Sequence, residues 1–201
     1  MAREKKISRK VAKPLRNKQM KKVALNKFDN SWYKPGSGFK RFVWYFKNAV
    51  LFKSSIPWPN SLKVFALRFF GAKVGKGVNI KPCVNIKYPW LLKIGDYVWI
   101  GENVWIDNLA EVEIGDNVSI SQGAMLLTGN HNYKKETFDL IVGKIKIEEG
   151  AWIGAQCVVC PGVTVKSHSI LTVGSVLTKD TEPYMIYQGN PAVKVKARVI
   201  E

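Results

Sequence analysis

The residue best suited to proton transfer in this chain is His131, one of its two histidines. A neutral imidazole can take a proton from an alcohol near neutral pH, which few side chains can do. Asp107 and Asn108 precede it, and carboxylate and amide groups of this kind can each hold two sugar hydroxyls at once. These residue types favour chemistry on a hydroxyl group, and the alternative is a surface-loop histidine without a role.

An aliphatic residue recurs along the chain from residue 74 onward. The steps are of six residues, with two steps of eight and one gap, and the series reads Val74, Ile80, Ile86, Ile94, Ile100, Ile106, Ile114, Ile120 and Leu126, then Ile147, Ile153, Val159, Val165, Leu171 and Leu177. Gly often follows, where we expect a tight corner to exclude a Cβ. A six-residue unit cannot bury its apolar residue alone, so three units close a coil and coils stack about 4.8 Å apart. The spacing predicts a parallel β-solenoid; an ordinary sandwich of short strands would be spaced more loosely.

The repeat is interrupted three times. Extra residues fall at Tyr88-Pro89 and at Asn108-Leu109, and the chain leaves the repeat at Gly129 and resumes it at Ile147. With three units per coil, all three interruptions lie at one corner of the prism, and protruding loops are where sites are built. The pattern predicts a cleft lined by Tyr88, Trp90, Asp107, Asn108, Asn130, His131, Asn132 and Tyr133. For Asp107 and Asn108, bonding to the turn backbone is the alternative.

The repeat resembles that of the hexapeptide-repeat acyltransferases, whose units read aliphatic-Gly-x-x-small-x. The resemblance covers residues 74–200, and residues 46–82, 88–133 and 189–200 are similar to the colanic-acid and exopolysaccharide O-acetyltransferases. It implies a left-handed parallel β-helix of triangular section, an all-β solenoid that is usually a homotrimer with sites shared between neighbouring chains.

The resemblance also implies an activity. Acetyl-CoA is then the acyl donor, and His131 is the base that removes the proton of a sugar hydroxyl as its oxygen attacks the thioester. Backbone N–H groups are the natural donors to the resulting oxyanion. The acceptor is a free or lipid-linked sugar of a surface polysaccharide, and the alternative is another small acceptor such as a simple sugar, serine or an antibiotic.

Donor contacts are likewise implied by the resemblance. They are Ala155, Val173, Thr178 and Lys179, with Trp152 flanking the coenzyme and Lys196 meeting its phosphates. The chain departs from the family at Val193, where a cation is usual, and Lys194 or Arg198 could compensate.

No metal is expected. The mechanism needs none, and two histidines are too few for the three-histidine zinc site of β-helical carbonic anhydrases. Cys83, Cys157 and Cys160 do not make a disulfide framework, and we interpret the isolated C-x-x-C of residues 157–160 as packing.

The chain divides into four predicted parts. Residues 1–38 are a basic, flexible arm, residues 39–73 an aromatic-rich helical cap, residues 74–182 the β-helix with a loop inserted at 129–146, and residues 183–201 a C-terminal tail. The aromatic segment has two interpretations: it covers the open edges of the first coil, or it is an interfacial patch for an anionic membrane. Different faces of the segment could serve both.

The net charge of +17 first suggests nucleic acid. However, residues 1–27 hold eleven bases and one acid, whereas the other 174 residues hold 21 bases and 14 acids. Most of the excess positive charge therefore lies in the arm. The arm either adds affinity for the cytoplasmic leaflet or is a solvated tail. A noncatalytic scaffold or nucleic-acid binder is the rival class.

No apolar run reaches a spanning length or follows the basic start as a signal peptide would, so we expect a cytoplasmic protein, either free or peripheral at the inner membrane face.

Overall fold

The computed structural model describes residues 21–201. A 3-10 turn (Leu25–Lys27) is followed by two helices, α1 (Gly38–Leu51) and α2 (Asn60–Phe69). The N-terminus of α1 is capped by Ser37, whose side chain accepts a hydrogen bond from the backbone N–H of Lys40. Within residues 21–201 no helix has the length and hydropathy needed to cross a membrane.

Short strands make up the rest of the fold. They are β1 (Lys73–Val74), β2 (Asn79–Ile80), β3 (Asn85–Ile86), β4 (Leu92–Ile94), β5 (Trp99–Ile100), β6 (Trp105–Asp107), β7 (Val112–Ile114), β8 (Ser119–Ile120), β9 (Met125–Leu127), β10 (Gly129–His131), β11 (Leu140–Val142), β12 (Ile145–Ile147), β13 (Trp152–Ile153), β14 (Val158–Val159), β15 (Thr164–Val165), β16 (Ile170–Leu171), β17 (Val176–Leu177), β18 (Met185–Gly189) and β19 (Ala192–Ala197). A 3-10 turn, Pro89–Leu91, precedes β4.

Three parallel sheets form the faces of the prism. The first has the order β1-β4-β7-β12-β15, the second β2-β5-β8-β13-β16-β18, and the third β3-β6-β9-β14-β17. Equivalent aliphatic residues stack from coil to coil in register, as Ile80, Ile100 and Ile120 do, and they fill the core. The C-terminal residues extend the second sheet, because β18 pairs with β16 and β19 folds back antiparallel onto β18. The predicted all-β solenoid is confirmed.

The glycines that follow the core residues are required for a reason that the sequence did not show. A Cβ at Gly101 would lie 2.8 Å from the backbone nitrogen of Gln122, and one at Gly154 would lie 2.6 Å from the carbonyl oxygen of Leu171. Neither glycine has a positive φ. The close approach of the next coil, rather than the tightness of the corner, therefore excludes a side chain.

The buried faces of α1 and α2 take the place of a coil that would precede the first. Trp44 Nε1 donates to the carbonyl of Ile86 (2.9 Å), and Lys63 Nζ donates to the carbonyl of Ile80 (2.8 Å). Arg68 donates to the carbonyl of Val74 (2.7 Å), so each strand of the first coil is bonded to a helix side chain. Strand-edge groups of this kind need partners when they are buried. These bonds are the capping role that one interpretation of the sequence predicts.

Residues 24–36, which we call the strap, lie against the edge where the repeat is interrupted. The Ala24 N–H donates to the Glu136 carbonyl (2.9 Å), the Tyr33 hydroxyl donates to the Leu109 carbonyl (2.6 Å), and Trp90 Nε1 donates to the Pro35 carbonyl (2.8 Å). The strap belongs to the arm predicted over residues 1–38, and its aromatic rings and backbone have partners on the β-helix. Residues 1–20 of that arm lie outside the described residues.

Candidate active site

The three interruptions of the repeat lie on one edge, between the third sheet and the first. Asn108 is fully buried there, and its amide bonds both backbone groups of Tyr88: Oδ1 accepts from the N–H (2.9 Å) and Nδ2 donates to the carbonyl (2.6 Å). One coil later the buried hydroxyl of Thr128 donates to the Asp107 carbonyl (2.9 Å). Both ends of the Asn108 amide therefore bond the backbone here, which is the alternative that the sequence offered, and its contact with the acceptor stays a prediction.

His131 lies on a hairpin that projects from this edge. Strands β10 and β11 pair antiparallel, with His131 opposite Leu140. His131 Nδ1 is 2.9 Å from the carbonyl oxygen of Phe138, and its ring stacks on the Phe138 ring with a centroid distance of 4.5 Å. Because a carbonyl oxygen can only accept, Nδ1 carries the hydrogen and Nε2 keeps its lone pair. The hairpin thus fixes the tautomer in which Nε2 can take a proton.

The acidic residues of the hairpin pair with lysines and not with His131. The Asp139 carboxylate accepts from Lys135 Nζ (2.8 Å), a bond that lowers the pKa of Asp139. Glu136 pairs with Lys27 of the strap (2.6 Å), which lowers the pKa of Glu136. The partner of His131 is therefore a backbone carbonyl. Phe138, which supplies it, has a φ of 52°, a strained conformation for a bulky residue.

A cavity of about 630 Å³ opens beside His131. The strap contributes Phe28, Asn30, Ser31, Tyr33, Lys34, Pro35 and Gly36, α1 contributes Arg41, and the edge and the hairpin contribute Lys87, Tyr88, Leu109, His131 and Leu140. None of these lining residues is acidic. Lys87 pairs with Asp107 (2.8 Å), which lies beside the cavity, so Lys34 and Arg41 supply its excess positive charge.

The structure separates the predicted acceptor residues. Tyr88 joins His131 in the cavity, whereas Trp90 stacks on Tyr88 (centroid distance 5.1 Å) and anchors the strap from the other side. Asn130 and Tyr133 do not line the cavity: the Asn130 side chain accepts from the His131 N–H (2.8 Å), and Tyr133 is exposed.

Sequence reasoning missed the strap, Arg41 and Lys87. The available signal for the strap was the presence of Phe28, Trp32 and Tyr33 in a segment that is otherwise poor in apolar residues. For Lys87 the signal was its position, directly before the first interruption of the repeat.

The residues predicted to hold the donor lie on two edges and one face of a single chain. Ala155 and Val173 adjoin at the edge between the second and third sheets, where the Gly174 N–H donates to the Ala155 carbonyl (2.9 Å). Thr178 and Lys179 follow β17 at the His131 edge. The exposed rings and charges of the second sheet include Trp152, on β13, and Lys196, on β19.

Both residues suggested as a substitute for the cation at Val193 have partners within the chain. Lys194 Nζ bonds both carboxylate oxygens of Glu182 (2.8 and 2.9 Å), which raises the pKa of Lys194. Arg198 donates to the carbonyl oxygens of Gly150 and His168. The compensation suggested for Val193 stays a prediction, and either side chain would have to exchange these partners to meet a phosphate.

The sequence of this chain is similar to those of known acetyltransferases. WcaF of Escherichia coli K12, a protein named for an acetyltransferase role in colanic acid biosynthesis, is 36% identical over 167 residues, which are 83% of this chain and 92% of WcaF. The chain belongs to the hexapeptide-repeat acetyltransferases. Its solenoid is accordingly the left-handed β-helix of that family, and the protein is an enzyme. No family model matches the chain.

Other acetyltransferases match over shorter stretches or in fold. The galactoside O-acetyltransferase of E. coli K12 is 32% identical over 123 residues, 60% of this chain and 61% of that protein. A maltose O-acetyltransferase of Clostridium difficile 630 superposes with a TM-score of 0.73 at 23% identity, covering 81% of this chain and 88% of its own. A Vibrio cholerae hexapeptide-repeat acetyltransferase superposes with a TM-score of 0.66 at 25% identity, covering 71% and 83%.

The described part of this acetyltransferase contains no group of three or more His, Cys, Asp or Glu side chains in metal-binding geometry. Cys157 is buried, and its Sγ contacts the Thr172 carbonyl (2.9 Å), so it packs in the interior as the repeat position indicates.

Tyr33 gives the strap a testable pH dependence. Burial, followed by the nearby Tyr88 and Asp107, raises the pKa of Tyr33, so the fold favours the neutral phenol. Its contribution to stability is complete below pH ~10, the unfolded value, and is lost as the pH rises toward the raised folded value. We expect Tyr33→Phe to lower the free energy of unfolding by about 1 kcal/mol below pH ~10, through the lost hydrogen bond, and by less above it. Urea unfolding across this pH range measures the difference, and a gap that stays constant or widens contradicts the assignment.

Proposed function

We propose that this acetyltransferase moves an acetyl group from acetyl-CoA to a hydroxyl of a free or lipid-linked surface-polysaccharide sugar. The observation that carries the proposal is the contact of His131 Nδ1 with the Phe138 carbonyl, which leaves Nε2 as a base beside a 630 Å³ cavity. The names of the relatives support the acceptor class, since they refer to colanic acid, a galactoside and maltose. A V. cholerae protein of this fold was solved in complex with acetyl-CoA.

The proposed reaction follows from the tautomer of His131. Nε2 accepts the proton of the sugar hydroxyl while its oxygen forms a bond to the thioester carbonyl carbon. The Phe138 carbonyl stabilises the imidazolium through its bond to the Nδ1 hydrogen. The tetrahedral intermediate then breaks its C–S bond, and the coenzyme sulfur leaves with the proton that Nε2 returns. The products are the O-acetyl sugar and CoA–SH.

A homotrimer with shared donor sites completes the proposal. Ala155 and Val173 lie on a different edge of the chain from His131, so one copy does not gather the whole predicted donor set at its own base. A neighbouring copy that brings its Ala155 edge toward the His131 edge would complete the groove. Trp99 and Trp152 leave much of their ring area exposed on the second sheet, which suits an interface.

The direct test incubates the full chain with acetyl-CoA and a panel of neutral sugars, acidic sugars, serine and an aminoglycoside. Release of the CoA thiol gives the rate, and mass spectrometry with NMR locates the acetyl group. We expect O-acetylation of a sugar. Acetylation only of serine or of the aminoglycoside would show that the acceptor is that compound and not a sugar. Thiol release no faster than the hydrolysis of acetyl-CoA alone would refute the proposal.

Arg41 gives a prediction about the acceptor. Lys34 and Arg41 make the cavity cationic, so we expect it to favour a sugar that carries a phosphate or carboxylate. Arg41→Gln should raise the KM for an anionic sugar by about tenfold and that for a neutral glycoside by less than about twofold. Steady-state kinetics with a matched acceptor pair measures this, and Arg41→Lys is the charge-conserving control. An equal change in KM for both acceptors would show that Arg41 does not bind the anionic group.

A further inference from the structure

Basic and acidic residues are segregated along the chain. Residues 30–95 contain twelve Lys and Arg and no Asp or Glu, whereas residues 96–201 contain nine bases and thirteen acids. Because the coils stack in chain order, the end of the prism that carries α1, α2 and the first coil is positively charged. The later coils carry a net negative charge. The protein is therefore polarised along its long axis.

The positive end also carries an uncovered apolar surface. While the inner faces of α1 and α2 cap the first coil, their outer faces present eight large apolar residues that are between 38% and 79% exposed. We call this set the aromatic face, and it consists of Phe39, Phe42, Tyr45, Phe46, Val50, Leu62, Phe65 and Phe69. Single exposed apolar residues are ordinary, but a contiguous group indicates an interaction surface.

The two helices contribute to one continuous surface. An apolar groove of about 270 Å³ runs between them, lined by residues of both helices that include Leu51, Phe65 and Phe69, with Lys47 among them. Lys47, Lys53 and Lys73 form no ion pair with any residue in the 21–201 range. Of these, Lys47 lines the groove together with Phe65 and Phe69, and Lys53 lies near Tyr45.

We propose that the aromatic face docks this protein onto an anionic lipid surface. Aromatic rings lie favourably at the boundary between headgroups and acyl chains, and neighbouring lysines are attracted to anionic headgroups. A second copy of the chain is a poorer occupant, because it would bring two acid-free surfaces together. Residues 1–20, with eight bases and one acid, add charge of the same sign.

The docking surface leads to the candidate active site. A groove of about 350 Å³ along α1 is lined by Tyr45 and Lys53 and also by Arg41, Lys87 and Tyr88. The last three line the His131 cavity as well. A docked molecule would therefore present this cavity near the lipid surface.

The test measures co-sedimentation of the full chain with phosphatidylcholine vesicles, with and without phosphatidylglycerol. The variant carries Phe42→Ser, Phe65→Ser and Phe69→Ser, all on exposed side chains. A matched control carries Val195→Ser, Val199→Ser and Ile200→Ser, which are also exposed but lie near the C-terminus. Binding is compared at about 0.1 M and about 1 M NaCl, between which the screening length falls from about 10 Å to about 3 Å.

We expect anionic vesicles to bind the wild type at least about tenfold more tightly than neutral ones, and binding to fall several-fold at high salt. The aromatic variant should lose at least about tenfold in affinity, with the control within about twofold. Wild-type-like binding by the aromatic variant overturns the proposal. A smaller molar mass of the aromatic variant than of the wild type in light scattering also overturns it, because the aromatic face would then bind a second copy of the chain. Acetyl transfer to a water-soluble acceptor, assayed in parallel, separates failure of docking from failure of the proposed reaction.

Discussion

Replacement of His131 by alanine is expected to lower the kcat of acetyl transfer by about 10²–10⁴-fold, the usual contribution of a positioned general base. Of the ionisable side chains on the hairpin, the one that lines the cavity is the His131 imidazole. The Phe138 carbonyl bonds its Nδ1 and leaves Nε2 able to accept a proton. Without it, the hydroxyl must lose its proton to water. The KM for acetyl-CoA should change little, because this effect belongs to the transition state.

Three controls show whether the loss is chemical. His168→Ala removes the other histidine, which stacks on Tyr184 away from the His131 edge, and should retain kcat. Phe138→Ala keeps the carbonyl that orients His131 and removes only the stacked ring, so we expect a loss of less than about tenfold. Added imidazole should restore part of the rate of the His131→Ala variant. Full activity of that variant would refute the base assignment.

The position of His131 could be predicted because the repeat is periodic apart from its three interruptions. A period of six and three units per coil assign every interruption to one edge, and residues 88, 108 and 129 do lie together there. The side-chain stacking of Ile80, Ile100 and Ile120 follows from the same arithmetic. Local spacing therefore carries enough information for the solenoid and for the edge that holds the candidate site.

Other parts of the site were not predictable because their contacts are aperiodic. The strap meets the hairpin through residues more than a hundred positions apart, such as Lys27 and Glu136, and no spacing rule connects them. The group that orients His131 is a backbone carbonyl, which every residue possesses, so no residue type marks it. The cap was predictable as helices, but which of its rings are buried depends on how α1 and α2 pack on the first coil.

Asn108 illustrates the ambiguity of a residue type. An amide suits a sugar hydroxyl and a turn backbone equally well, and the sequence favoured the sugar. The structure commits both ends of the amide to Tyr88. We expect Asn108→Ala to lower the free energy of unfolding by about 2–5 kcal/mol, because two partly buried backbone groups of Tyr88 lose their partner and the buried amide leaves a cavity. Denaturant unfolding measures the change.

The matched control and the kinetics decide which role Asn108 has. Gln188→Ala removes an exposed amide and should alter stability by no more than about 0.5 kcal/mol. Because Tyr88 lines the His131 cavity, loosening its backbone should also raise the KM for the acceptor, and the loss of stability and the rise in KM should occur together. If Asn108→Ala instead keeps the wild-type free energy of unfolding and loses only acceptor affinity, the amide contacts the sugar. The residue is then required for that contact and not for its hydrogen bonds to Tyr88.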